Sequence, residues 1–142
     1  MVYEENMPIN TYQWDVTDTL RFNVYIEDTQ SKYDLSLNVR HRDVYDFMNL
    51  YVKILTRFPD GKLSSDVISL PLCDETGKWL GKCSGDICFA KVILQKKMYF
   101  KSKGTYTFFI NQEMRQERLQ NILDIGLKVE KSKKKVYSDD EQ

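Results

Sequence analysis

Apolar and polar residues alternate along most of this chain, which is the pattern of half-buried β-strands. The clearest segment is 33–40, where Leu35, Leu37 and Val39 alternate with polar neighbours and are predicted to face a core. The other predicted strands are residues 20–27, 49–56, 67–72, 87–95, 105–110 and 125–130. Residues 111–121, which are rich in Gln, Glu and Arg, depart from this period and predict a short helical turn before the last strand.

Turn-forming residues separate these segments, and aromatic residues, which favour strands, reach 13% of the chain. Short strands joined by turns predict an all-β, single-domain β-sandwich. We prefer a jelly-roll-like topology to the alternative, a closed barrel. We expect an extended N-terminal arm at residues 1–10, the sandwich domain at 11–131, and a flexible charged tail at 132–142.

The charge balance argues against nucleic acid as the main partner. Lys plus Arg is 21 and Asp plus Glu is 21, so the formal net charge is zero, whereas phosphate binding favours a basic excess. No apolar run is long enough to cross a bilayer, and the polar, acidic start is not a signal peptide. We therefore expect either a cytosolic protein or a chain that begins after a removed targeting segment.

Motifs of catalysis are missing from the sequence. The only histidine is His41, so a histidine cluster cannot form, and neither a nucleophile elbow nor a phosphate-binding loop is present. The carboxylates are scattered and mostly lie in turns, where Asp is expected for local backbone bonding. We predict no catalytic residue and no cofactor, and we expect His41 to be a solvated loop side chain.

Three cysteines are present: Cys73, Cys83 and Cys88. Zinc bound by these cysteines and His41 is an alternative that we do not favour, because structural zinc sites use closer cysteine pairs. No metal site is predicted. A disulfide between Cys83 and Cys88 is expected in an oxidising compartment. The alternative is that the cysteines are small buried residues, and we favour it for Cys73.

A speculative binding surface is indicated by aromatic and polar residues outside the predicted core. Trp79 lies between glycines, where it either packs at a corner of the fold or forms an exposed platform. The candidate binding residues are Trp79, Lys78, Tyr25, Tyr51, Asn38 and Arg40. Together they would suit a carbohydrate-binding module on a jelly-roll sandwich, which is our alternative function.

Several segments resemble the GldH family of gliding-motility lipoproteins. The segments that carry the resemblance include 77–81, 111–115, 119–127, 22–28, 104–106, Trp14 and Tyr45. Their order and spacing extend the resemblance over residues 12–130.

The resemblance implies a non-enzymatic cell-envelope lipoprotein that acts as a structural or interaction component linked to motility and secretion machinery. It implies other envelope proteins as partners, and an outer-membrane, periplasm-facing location through an N-terminal lipid anchor on an acylated cysteine. This chain has no cysteine before Cys73. We therefore expect that it is the mature form without its anchor.

Overall fold

The computed structural model describes residues 2–133. Eleven strands run through this part of the chain. They are β1 (Tyr3–Pro8), β2 (Gln13–Asp15), β3 (Leu20–Ile26), β4 (Tyr33–Arg42), β5 (Asn49–Arg57), β6 (Leu63–Pro71), β7 (Lys82–Ser84), β8 (Ile87–Met98), β9 (Gly104–Gln112), β10 (Arg118–Gln120) and β11 (Ile122–Lys131). The only helical element among the described residues is a single 3₁₀ turn at Asn10–Tyr12.

Two antiparallel sheets form a β-sandwich. One sheet has five strands in the order β1-β11-β4-β8-β7, and the other has four in the order β3-β9-β5-β6. The short strands β2 and β10 pair with each other at the side. Without these two and β7, the eight long strands have the strand order of a jelly roll, with β1-β11-β4-β8 in one sheet and β3-β9-β5-β6 in the other. The predicted all-β, jelly-roll-like sandwich is confirmed.

The core lies between the two sheets, where each strand turns its alternate residues inward. Leu35, Leu37 and Val39 of β4 face it as predicted. Trp14 is also fully buried, and its indole Nε1 donates to the carbonyl oxygen of Asp18 at 2.9 Å. Residues with side chains less than 2% exposed include Phe22, Ile26, Leu50, Leu70, Ile110, Leu119, Ile122 and Ile125. Burial of these side chains is the main stabilising contribution to the fold.

The predicted helical turn at residues 111–121 is wrong. Asn111 and Gln112 continue β9, and Arg118–Gln120 is a strand paired with β2. The buried Gln112 side chain organises the loop between them. Its amide donates to the carbonyl oxygen of Gln116 at 2.6 Å, and its oxygen accepts from the Met114 N–H at 2.8 Å. These contacts replace the hydrogen bonds that a helical turn would have made.

At the N-terminus, residues 3–8 are extended, and they pair with β11 along their whole length instead of forming a separate arm. Glu4 of this strand lies opposite Lys128, and Tyr3 lies opposite Val129. These residues are therefore part of the five-stranded sheet. Of the predicted charged tail, residues 134–142 lie outside the described part of the chain.

Candidate functional site

The charged side chains that project outward from the strands of the four-stranded sheet are all basic. The outward face consists of the side chains of β3, β9, β5 and β6 that alternate with the core positions. The charged ones are Arg21, Lys53 and Arg57, and no outward position on these four strands holds Asp or Glu. We call this surface the cationic face.

An aromatic ring lies between two of these cations. Arg21 on β3 and Arg57 on β5 have their guanidinium carbons 5.7 and 5.4 Å from the ring centre of Phe109 on β9. Leu55 is paired with Phe109 across the β5–β9 ladder. Guanidinium groups within about 6 Å of an aromatic ring are attracted by its electrons, so Phe109 holds both arginines in place.

Apolar side chains extend the cationic face. Tyr25 is 53% exposed, Leu63 is 63% exposed and Val67 is 57% exposed. Tyr51 belongs to the same face but lies at the opposite end of the sheet from Tyr25, roughly 25 Å away along the strands. A surface that combines exposed apolar groups with unneutralised arginines is typical of protein interfaces.

The outward face of the five-stranded sheet differs, because its charges neutralise one another. Arg40 pairs with Asp124 at 2.7 Å, and Lys91 pairs with Glu130 at 3.2 Å. Asn38 is only 2% exposed, and its amide donates to a carboxylate oxygen of Glu4 at 3.0 Å. Of the candidate binding residues on this face, Asn38 is covered and Arg40 is engaged in an ion pair.

Trp79 lies at one end of the sandwich in the loop between β6 and β7. It is half-buried, and its ring centre is 4.5 Å from that of His41. Lys78 is exposed in the adjoining turn, where its backbone N–H donates to Oδ1 of Asp74 at 2.9 Å. Trp79 therefore packs at a corner of the fold, with one part of the ring accessible.

His41 is fully buried in β4, so the expectation of a solvated loop histidine is wrong. Its Nδ1 is 2.9 Å from the carbonyl oxygen of Arg42, and its Nε2 has no hydrogen-bond partner among the described residues. Burial lowers the pKa of His41, although the hydrogen bond to Arg42 and the charge of Asp43 oppose this shift. The imidazole is therefore neutral, with its proton on Nδ1.

Cys83 on β7 and Cys88 on β8 are cross-strand partners, and a disulfide joins them in the structure. Cys73 carries a free thiol and is half-buried, and its Sγ donates to the carbonyl oxygen of Asp74. Within residues 2–133, no group of three His, Cys, Asp or Glu side chains is arranged to hold a metal ion.

The six candidate binding residues do not form one platform. Tyr25 and Tyr51 lie on the cationic face, Asn38 and Arg40 on the opposite face, and Trp79 and Lys78 at a corner. Sequence reasoning missed Arg21, Arg57 and Phe109. Arg57 lay beyond the predicted strand 49–56 and Phe109 followed another Phe in its strand, so alternation did not single them out, and only the strand order shows that the three are neighbours.

The fold and its surfaces thus define an all-β sandwich protein with a cationic, aromatic outer face. A sequence profile of the GldH lipoprotein family matches residues 1–129, and the chain belongs to this family.

Relatives in two bacteria match almost the whole chain. It is 30% identical to a "gliding motility lipoprotein GldH homolog" of Christiangramia forsetii over 138 residues, which covers 92% of this chain and 84% of the relative. It is 26% identical to the "gliding motility lipoprotein GldH" of Flavobacterium johnsoniae over 136 residues, which covers 91% of this chain and 84% of the relative.

Among solved structures, 89% of the chain is similar to 29% of a chain in the structure of infectious bursal disease virus Gx strain, at 10% identity and a TM-score of 0.30. That likeness is too low to support any inference. Within residues 2–133, no helix is long and apolar enough to cross a membrane.

Proposed function

We propose that this protein is a non-enzymatic interaction component of the gliding-motility system and its linked secretion machinery. Membership of the GldH family supports the motility context, because relatives with this name are gliding motility lipoproteins. The proposed location is the periplasmic side of the outer membrane, with a lipid anchor at the N-terminus. Its partners would be other proteins of the cell envelope.

The observation that carries the interaction role is the cationic face. Arg21 and Arg57 have no acidic partner within salt-bridge distance among the described residues. Isolated charges of one sign on a flat, partly apolar sheet attract a partner surface of the opposite sign. The occupant we propose is the acidic surface of another envelope protein, which would pair with the arginines and cover Tyr25, Leu63 and Val67.

Charge reversal on this face tests the proposal. The double variant Arg21→Glu, Arg57→Glu should lose at least about tenfold in affinity for the envelope partner, because two attractive contacts become repulsive. The partner would be found by cross-linking in cells of a gliding bacterium that carry the full-length protein. Affinity would then be measured with the purified pair, and the affinity of the unmodified protein should fall as salt rises.

The matched control is Lys82→Glu, Lys96→Glu, which changes the net charge equally at exposed positions on β7 and β8 of the other sheet. This variant should bind normally and support the spreading of colonies. An equal loss of affinity in both double variants would show a general charge effect. Normal binding by Arg21→Glu, Arg57→Glu would remove the cationic face as the docking surface.

The proposed location has its own test. Fractionation of envelope membranes by density should place the full-length protein with the outer membrane, and protease added outside intact cells should leave it uncut. Recovery of the full-length protein in the cytosolic fraction would contradict the proposed location, and the result of the binding experiment would still hold.

A further inference from the structure

The two sheets of the sandwich are open along one side. β6 is the last strand of the four-stranded sheet on that side. In the five-stranded sheet, β7 pairs only with residues 87–89 of β8, so the rest of β8 has no strand beyond it within the described chain. Between these two edges lies a cleft of about 660 Å³ that extends inward to the core.

The inner part of the cleft is apolar. It is lined from the two sheets by Leu35, Leu127, Leu94, Ile54, Phe108 and Ile110. None of these side chains can form a hydrogen bond. A peptide inserted there would leave backbone N–H and C=O groups without partners, which costs several kcal/mol for each group. A chain of CH₂ groups carries no such cost and gains from leaving water.

The mouth of the cleft is polar and carries both signs of charge. Asp66 faces the cleft from β6, opposite Ile54 of β5, and Lys101 lies on the far side of the opening. Asp60 and Lys62 in the turn before β6 also line it, with 3.9 Å between Asp60 Oδ2 and Lys62 Nζ. Paired charges at a mouth above an apolar interior suit a molecule with one polar end and one apolar chain.

We propose that this cleft binds the alkyl chain of a single-chain amphiphile, with the polar head group held at the mouth. The volume lies within the range of small-molecule sites, about 300–1,000 Å³. A fatty acid and a lysophospholipid supply the same alkyl chemistry, and their head groups distinguish them. The cleft borders the cationic face at Leu63, but its inner apolar lining lies on the core side of the four-stranded sheet. Alkyl-chain binding is therefore tested independently of the proposed docking function.

The direct test is to fill the cleft with a larger side chain. Two adjacent residues of β6 provide the test variant and its matched control. Ile68 lines the cleft, whereas Val67 points away from it on the outward face. Dansyl-undecanoic acid should bind to the unmodified protein with a rise in fluorescence, and Ile68→Trp should weaken binding by at least about tenfold because the indole occupies the chain's space. Val67→Trp should bind as the unmodified protein does.

A second pair of variants, on β8, tests the site if Ile68→Trp does not fold. Leu94 of β8 lines the cleft and Ile93 faces outward, so Leu94→Trp should weaken binding and Ile93→Trp should not. Displacement of the dye by palmitate and by lysophosphatidylethanolamine, each below its micelle concentration, would distinguish the two sources of the chain. Displacement by either compound supports the site.

Two results of the dye-binding measurement would overturn the proposal. One is the absence of saturable dye binding to the unmodified, folded protein. The other is equal binding by folded Ile68→Trp and Val67→Trp, which would show that the dye lies on the surface. If neither compound displaces the dye, the site does not bind natural alkyl chains, and the proposal fails as well.

Discussion

His41 shows how burial decides the charge of one side chain. Its ring contacts Trp79 and Tyr45, with ring centres 4.5 and 5.8 Å away, and it has no access to solvent. A second proton would have to sit on Nε2, where no acceptor lies within the described structure. The folded protein therefore stabilises the neutral imidazole, and its stability depends on pH.

We expect the folding stability to decrease as the pH falls. The pKa of His41 is lowered from its ordinary value of 6.5, so below pH 6.5 the unfolded chain binds more protons than the folded one. The stabilisation is complete above pH 6.5 and is lost as the pH falls toward the lowered value. Urea unfolding at several pH values should show this loss in the unmodified protein, and His41→Phe should lack it.

The carboxylates with lowered pKa values titrate outside the pH range of this measurement. The lowered pKa values of Asp28 and Asp74, caused by hydrogen bonds to their carboxylates, place their titration below about pH 4. An identical pH slope between pH 5 and 7 in His41→Phe and the unmodified protein would contradict the account of His41.

Gly81 is a residue whose identity the fold requires. A Cβ at this position would overlap the backbone carbonyl oxygen of Phe89 on β8, which cannot move aside without disturbing the ladder. We expect Gly81→Ala to lower the free energy of unfolding by about 1–3 kcal/mol, as overpacking does. The control is Leu80→Ala, at a neighbouring side chain that is 56% exposed, which should change the free energy by less than about 0.5 kcal/mol. Thermal or urea unfolding would measure both, and equal stabilities would contradict the close approach.

At the scale of elements, β7 is a three-residue strand held to β8 by the bond between Cys83 and Cys88. Under the loop-entropy account, closing so short a loop contributes about 2 kcal/mol. We expect the protein from an oxidising compartment to show one reactive thiol after unfolding, from Cys73, and three after reduction. Cys83→Ser, Cys88→Ser should lower the free energy of unfolding by at least that amount, because Cys88 is fully buried and a serine hydroxyl there adds its own cost. Three thiols before reduction would show that the bond is not formed.

The elements also show why the sequence revealed some strands and missed others. Long strands such as β4 turn one face toward the core, and this produces the alternating apolar pattern of Leu35, Leu37 and Val39 by which they were predicted. β2 and β10 are three residues each, too short for a pattern, and they exist because they pair with each other across the fold. The turn before β10 depends on Gln112, whose side chain makes contacts that the composition of the segment does not reveal.

At the scale of the whole molecule, the candidate sites depend on strand order. The cationic face joins Arg21, Phe109 and Arg57 from three strands that are distant in sequence, and the cleft joins β6 to β8 across two sheets. Alternation assigns each residue to an inward or outward face, but it does not say which strands are adjacent. The fold class was therefore accessible from the sequence, and the surfaces that support a function were not.

The pairing of the first strand with the last has a consequence for the time at which the chain can fold. β1 can form its ladder hydrogen bonds only when β11 has been synthesised, and β3 likewise requires β9. Pairings between distant segments form slowly, because a long loop must close before any contact is gained. A nascent chain that lacks its last twenty described residues has no complete five-stranded sheet. We therefore expect the two-sheet core to close only near the end of synthesis, and a chain without a closed core is easier to thread across a membrane.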